Sequence, residues 1–201
     1  MIPLFVLLAA YTVGAIPFGY LVVKLKSGQD VRASGSGNIG ATNVLRSHGR
    51  GMGVVTLLLD IAKGAFAVWL ADRFLEGSAA WMSAAALAVM AGHAFPVFLR
   101  FRGGKAVASF VGAFAYLTPL PLAATAILFI AAVAVTRYIS LGSILGAACF
   151  PLAVFLISHP PAAVLGASLL ASAFIIWRHR SNIERIRAGN ENLFSFGGGK
   201  S

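Results

Sequence analysis

Residues 106–136 read AVASFVGAFAYLTPLPLAATAILFIAAVAVT, thirty-one positions without a charged side chain. One unbroken helix of that length would reach about 46 Å, well beyond the roughly 30 Å hydrocarbon core of a bilayer. Thr118-Pro119-Leu120-Pro121 stands in its middle, and proline lacks the amide hydrogen that a helix interior needs. The run therefore reads as one interrupted span or as two short ones, the first over Ala106–Thr118. Thirteen residues reach only about 20 Å, so the short helix must begin or end inside the protein. Its start lies beside Gly103-Gly104-Lys105, and half-helix N-termini in membranes turn their positive ends toward anions.

The same division sets the orientation. As two segments, the run puts Arg137, Arg178, Arg180, Arg185 and Arg187 on the side of the earlier basic loops; as one, it puts them opposite. Short cytosolic loops carry the excess of Lys and Arg, which favours two. Working outward, Met1–Val23, Met52–Ala71, Ala79–Leu99, Tyr138–Ser158 and Ala162–Trp177 are further apolar runs. Met1–Val23 lacks the basic start of a secretory signal, so it is kept as a span. The expected architecture is an all-α integral membrane protein with seven transmembrane helices, some short, the N-terminus outside and the C-terminus inside. Residues 1–187 would form a single polytopic domain, and 188–201 a polar tail ending in Gly197-Gly198-Gly199-Lys200-Ser201.

Composition agrees. Of 201 residues, 59% are hydrophobic and 11% charged, against about 25% charged in soluble domains. The net charge of +10 does not imply nucleic acid, because the basic residues sit in short loops at span ends. Of sixteen Lys and Arg, the expected topology puts fourteen on the inner side, Arg73 outside and Lys63 in a span. Cys149 is the sole cysteine, which excludes a disulfide framework and suggests a small buried thiol.

Polar chemistry concentrates in a few places. The loop Ala33–Asn43 holds Gly35, Gly37 and Gly40 together with Ser36, Asn38, Thr42 and Asn43. Glycine permits left-handed backbone, so successive N–H groups could converge on an anion, with Arg46 a short run away. A flexible linker is the alternative, disfavoured by the two asparagines. Gly35-x-Gly37-x-x-Gly40 matches a dinucleotide fingerprint literally, but neither a preceding strand nor a βαβ unit fits. Gly103-Gly104-Lys105 is not a Walker loop, since Leu99 and Ala106 occupy its first glycine and its hydroxyl position. Two glycines and a lysine at a helix start could still hold a phosphate.

Asp60 and Lys63, three apart in a span, share a helix face as an ion pair or as a lysine donated to the site. His93, in Gly92-His93-Ala94-Phe95-Pro96, reads as a hydrogen-bonded support or an acid–base group. His179 and Asn182 follow the last span as neutral hydrogen-bonding residues that a plain basic flank would not require. Nucleophile elbow, catalytic carboxylate pair and metal-ligand cluster are all missing from the sequence, so neither metal nor cofactor is expected. Chemistry on phosphates would then rest on positioning and charge. A transporter of an organic phosphate is the rival reading, disfavoured by cations on one face and by the lack of an inverted repeat.

Taken together, SGSGNIGATNVLR (34–46), LLLDIAKG (57–64), GHAFPVFLRFRGGKAVA (92–108), RYISLGSI (137–144) and WRHRSNIERI (177–186) resemble the bacterial acyl-phosphate-dependent glycerol-3-phosphate acyltransferases, the PlsY family. The family reads GGKGVAT where this chain has GGKAVAS, so Ala106 and Ser109 depart from it. The resemblance implies acyl transfer from acyl phosphate to the sn-1 hydroxyl of glycerol 3-phosphate, giving lysophosphatidic acid and phosphate, the first step of phospholipid synthesis. It implies a bacterial inner-membrane enzyme with its active site on the cytosolic side. Ser36-Gly37-Asn38 and Gly103-Gly104-Lys105 would hold the donor's phosphate. Arg46, Lys105, Ser143, His179 and Asn182 match glycerol 3-phosphate positions. Lys105, Ser36, Asn38 and His179 are the catalytic candidates. Gly37, Gly40, Thr42, Asn43, Arg46, Gly103, Gly104, Ser143 and Asn182 would bind substrate, supported by Asp60, Lys63 and His93.

Overall fold

A computed structural model describes residues 1–194, all helix and loop. Its α-helices are α1 (Ile2–Ala15), α2 (Phe18–Ser27), α3 (Ala41–His48), α4 (Arg50–Phe74), α5 (Ala79–Ala94), α6 (Val107–Leu117), α7 (Pro119–Thr136), α8 (Ile139–Ala153), α9 (Ala162–Arg178) and α10 (Arg180–Arg187). Five stretches are long and apolar enough to cross a bilayer: Ile2–Ser27, Arg50–Phe74, Ala79–Leu99, Pro119–Thr136 and Ile139–Ser158. The pair α9 and α10, bent by 53°, makes a sixth if counted as one span. At 11 residues, α6 reaches roughly 16 Å and cannot cross alone. The proline division of residues 106–136 is thus borne out, with α6 and α7 meeting at Thr118.

Contacts divide the chain into two compact units, Met1–Tyr116 and Leu117–Ser201. In the first unit α1 packs on α5 and α4, and α4 on α3 and α5. Small residues make these approaches possible, since in lipid close backbone packing replaces the hydrophobic drive. A Cβ on Gly14 would overlap the Val89 carbonyl, and one on Gly112 the Ile61 carbonyl.

Pro17 breaks the first span between α1 and α2. The Ile16 carbonyl accepts a hydrogen bond from Lys63 Nζ (2.9 Å), and Asp60 neutralises that ammonium at 2.7 Å. Paired with Asp60, the Lys63 ammonium closes a helix break. Pro96 ends α5 in the same way, because the residue before a proline is pushed out of helical conformation. The Phe95 carbonyl accepts from Tyr11 Oη (2.6 Å).

In the second unit α8 packs on α7 and α9. Pro151 lies inside α8, and the helix widens into a π-turn over Val154–Ser158. Ile127, Ile130 and Val135 on α7 are exposed, as lipid-facing positions should be. Cys149 is exposed as well, which corrects the expectation of a buried thiol: it lies on an outward face of an apolar helix, where lipid suits it.

Two further expectations change. The last three residues of the Ala33–Asn43 loop are the start of α3, a short helix too polar to stand out in a hydropathy scan. The segment after Arg187 is not a free tail as far as Phe194: Glu191 is buried, and the Phe194 amide donates to the Arg137 carbonyl (2.7 Å). Gly197–Ser201 lies outside the described residues.

Ala106, just before α6, has φ +63° and is 1% exposed. Left-handed backbone costs an L-residue about 1–2 kcal/mol, so the family's glycine suits the position and alanine strains it. Ala106→Gly relieves that strain, offset by about 0.4–1 kcal/mol of added freedom in the unfolded chain. The expected net gain is up to about 1 kcal/mol, read as a higher melting temperature in detergent; a lower one would contradict it.

Candidate functional site

The first polar loop is built by its own side chains. Asp30 caps a 3-10 turn over Val31–Ala33, accepting from the Arg32 amide at 2.9 Å and from the Arg32 guanidinium at 2.6 Å. The hydrogen bond from the Arg32 side chain holds the Asp30 carboxyl down to about 2. Arg32 is thereby neutralised locally.

Gly35 (φ +57°) and Gly37 (φ +69°) then take left-handed backbone and reverse the chain over α3. Asn43, on α3 and 2% exposed, pins this reversal from below. Its Nδ2 donates to the carbonyls of Val31 (3.3 Å), Ser34 (3.1 Å) and Asn38 (2.8 Å). Its Oδ1 accepts the Ser36 amide (2.9 Å). A Cβ on Gly35 would collide with that same Oδ1, so glycine 35 and asparagine 43 require each other.

This geometry corrects the expected nest of converging N–H groups. The amide of Ser36 goes to Asn43, that of Gly37 to the Ser34 carbonyl (3.0 Å), and that of Gly40 to Asn38 Oδ1 (2.8 Å). These three amides are answered within the loop, which is therefore not a flexible linker. What it offers an anion is side chains, the Ser36 hydroxyl and Asn38 Nδ2, followed by the first turn of α3 at Ala41 and Thr42, whose N–H groups lack intrahelical acceptors. Thr42 and Arg46, four apart, lie along one face of α3. Asn43, expected as a substrate ligand, has its amide engaged within the loop and acts as the loop's organiser.

The second glycine site is corrected in a similar sense. The Gly103 amide donates to the Ala94 carbonyl (3.2 Å) and the Gly104 amide to the His93 carbonyl (3.1 Å). Both glycines cap the C-terminal end of α5, where helices leave carbonyls without partners. They hold no phosphate through these N–H groups; they deliver Lys105 to the mouth of α6. Beneath them His93, Asp60 and Lys63 form a buried polar cluster, with Asp60 Oδ1 3.5 Å from His93 Nδ1.

In the second unit a residue missed by the sequence reading organises the site. Glu191 Oε1 accepts from Ser140 Oγ (3.1 Å) and Asn182 Nδ2 (2.8 Å), and Oε2 accepts from Arg185 Nε (2.8 Å). One carboxylate ties α8 to α10. The signal for it was faint: one of only six acidic residues, placed just after a basic run. Ser143 Oγ donates to the Ile139 carbonyl (2.9 Å), which leaves its oxygen an acceptor. His179 Nδ1 lies 2.8 Å from the Ile175 carbonyl. A carbonyl accepts only, so Nδ1 carries the proton and Nε2 of the neutral ring is the acceptor.

Asn43 generates a direct test. Asn43→Ala removes the bond from the Ser36 amide and the two Nδ2 hydrogens shared among three carbonyls, and should cost about 1.5–4.5 kcal/mol, at a net 0.5–1.5 for each of three full bonds. Asn43→Asp should cost more than Asn43→Ala, because an acceptor would then face three carbonyls. Thermal unfolding in detergent measures both, and equal stability of the aspartate variant and the parent would refute the arrangement.

The family model described as glycerol-3-phosphate acyltransferase matches residues 4–189. A relative from Geobacter sulfurreducens named glycerol-3-phosphate acyltransferase is 48% identical over 185 residues, 92% of this chain and 94% of its own. One of the same name from Desulforamulus reducens is 45% identical over 186 residues, 92% of each chain. Two solved structures of PlsY, described as an integral membrane glycerol 3-phosphate acyltransferase, are also similar. The glycerol 3-phosphate form has a TM-score of 0.90 at 37% identity, covering 96% of both chains. The lysophosphatidic acid form has a TM-score of 0.86 at 35% identity, covering 96% of this chain and 95% of that one. With a family match across nearly its whole length and a fold of many apolar helices, this chain belongs to the glycerol-3-phosphate acyltransferase family of integral membrane proteins.

Proposed function

We propose that this glycerol-3-phosphate acyltransferase takes its acyl group from acyl phosphate and attaches it to the sn-1 hydroxyl of glycerol 3-phosphate. The products are lysophosphatidic acid and inorganic phosphate, in the first step of phospholipid synthesis. The observation that carries the reading is Lys105 at the mouth of the half-length helix α6, on a turn fixed by capping bonds to α5. A cation beside a helix N-terminus within a membrane protein favours a phosphorylated ligand.

The chemistry asks little of the protein. The sn-1 oxygen adds to the acyl carbonyl carbon, the bond from that carbon to the phosphate oxygen breaks, and the electron pair leaves with phosphate. The hydroxyl proton passes to phosphate oxygen, so a protein base is not obligatory. A mixed anhydride is already activated, and catalysis reduces to positioning and charge stabilisation.

Lys105, Ser36 and Asn38 are proposed to hold and polarise the donor phosphate, shaped by Gly37, Gly40, Gly103 and Gly104. Arg46 and Thr42 on α3, with Lys105, are proposed to bind glycerol 3-phosphate. Ser143, His179 and Asn182 match glycerol 3-phosphate positions of the family and are proposed as substrate ligands. The seven-helix arrangement, N-terminus out and C-terminus in, with the active face toward the cytosol of a bacterial inner membrane, rests on the distribution of Lys and Arg among the loops.

Purified protein should release inorganic phosphate from a long-chain acyl phosphate only when glycerol 3-phosphate is present; release that ignores it would overturn the proposed donor. Lys105→Ala should lower turnover by about 10²–10³, the usual cost of one charge-stabilising donor, while the protein still folds. Near-normal turnover would remove Lys105 from the site. Asn38→Ala should raise KM for acyl phosphate more than for glycerol 3-phosphate, and the reverse pattern would reassign it.

A further inference from the structure

Glycine at position 104 has no backbone reason to be glycine. Its φ is not among the left-handed ones, so alanine could adopt the same conformation. What excludes a side chain there is one imidazole: the three atoms nearest a Cβ on Gly104 would be Nε2, Cδ2 and Cε1 of His93. Gly103 differs, because its Cβ would run into the backbone carbonyls of His93 and Ala94 and the ring of Pro96.

The imidazole is itself fixed from behind. His93 is 3% exposed, Asp60 1% and Lys63 4%. Asp60 Oδ1 stands 3.5 Å from His93 Nδ1 and 2.7 Å from Lys63 Nζ. Lys63 in turn reaches the Ile16 carbonyl and lies over the Phe18 ring, 5.5 Å from its centroid. Asp60 thus stands beside Nδ1, and the Nε2 edge lies against the Gly104 backbone.

We propose that His93 is a positioning residue: its Nε2 edge, aligned by Asp60, is the surface on which the Gly104 backbone rests, and this contact sets where Lys105 stands. The inference rests on the reading of Lys105 as a phosphate ligand and adds the element that places it. A displacement of about 1 Å at such a contact costs on the order of a hundredfold in rate.

The test is a double-mutant cycle on the full-length protein in detergent, with KM and kcat for both substrates and the melting temperature read for every variant. Gly104→Ala should raise KM for the phosphorylated substrates and lower kcat/KM about ten- to a hundredfold. His93→Ala should lower it within the same range. Once the ring is gone the added methyl has room, so Gly104→Ala/His93→Ala should be no worse than His93→Ala alone, in kcat/KM and in melting temperature. Gly103→Ala/His93→Ala is the control: its clash is with carbonyls, and its losses should multiply.

Multiplying losses in the Gly104→Ala/His93→Ala pair, or full activity of Gly104→Ala, would overturn the proposal. If His93→Ala does not accumulate, His93→Ser and His93→Asn remove the same ring and complete the cycle. Failure of the underlying reading shows separately, as retained turnover in Lys105→Ala. The melting-temperature cycle still reports the contact between residues 93 and 104 in that case.

Discussion

Lipid offers no hydrogen bonds, so each place where a helix of this chain breaks must find partners within the protein. Pro17 interrupts the first span, and the Ile16 carbonyl is answered by Lys63. An ammonium in hydrocarbon is itself costly, and Asp60 answers that in turn. Pro96 ends α5, where the carbonyls of Phe95, Ala94 and His93 accept from Tyr11, Gly103 and Gly104. The chain Ile16–Lys63–Asp60–His93–Gly104 is thus one sequence of contacts that closes two helix breaks. Removing one member leaves a buried polar group without its partner, which costs more than the bond itself contributed.

That constraint explains why candidate ligands sit at breaks instead of mid-span. Irregular backbone inside a membrane protein must be held by side chains and glycine contacts, and the same features bring a lysine to a helix mouth. Lys105 follows the capping glycines directly, and Ser36 and Asn38 project from a turn whose amides Asn43 and Asn38 have already satisfied. Polar groups that organise a turn and polar groups that could meet a substrate stand side by side, yet they are different groups. Sequence composition does not separate the two classes; the hydrogen-bond partners do.

The apolar runs, the proline division at Thr118 and the short helix at Lys105 were all legible from residue pattern, because lipid imposes length and charge rules on a one-dimensional string. The pairing of Asp60 with Lys63 was legible too, from their spacing of three on one helix. The rest was hidden for identifiable reasons. α3 is short and polar, and its existence depends on Asn43 locking the preceding turn. Glu191 lies after the last apolar run, where composition reads as solvated, and its burial depends on Ser140, forty residues and more upstream. That the Gly103 and Gly104 amides go to α5 and the Ser36 amide to Asn43 is a tertiary fact with no local signature.

The departures from the family pattern show how little sequence the reaction itself dictates. Ala106 keeps the left-handed backbone that glycine would take without strain, so the turn is over-determined by its neighbours: the Gly103 and Gly104 caps on one side and the α6 bond from the Phe110 amide to the Ala106 carbonyl (2.8 Å) on the other. Strain of this kind persists only where the surroundings enforce it. For the proposed transfer from an acyl phosphate, the demanding requirement is to hold two phosphorylated molecules close despite their repulsion. Unit charges 4 Å apart interact by about 4 kcal/mol near a protein surface, so a cation displaced by an ångström or two loses about 1 kcal/mol of it. A rigid turn built from capping bonds and one imidazole meets that requirement better than a flexible loop with the same residues, and the cost of the strained alanine is small beside it.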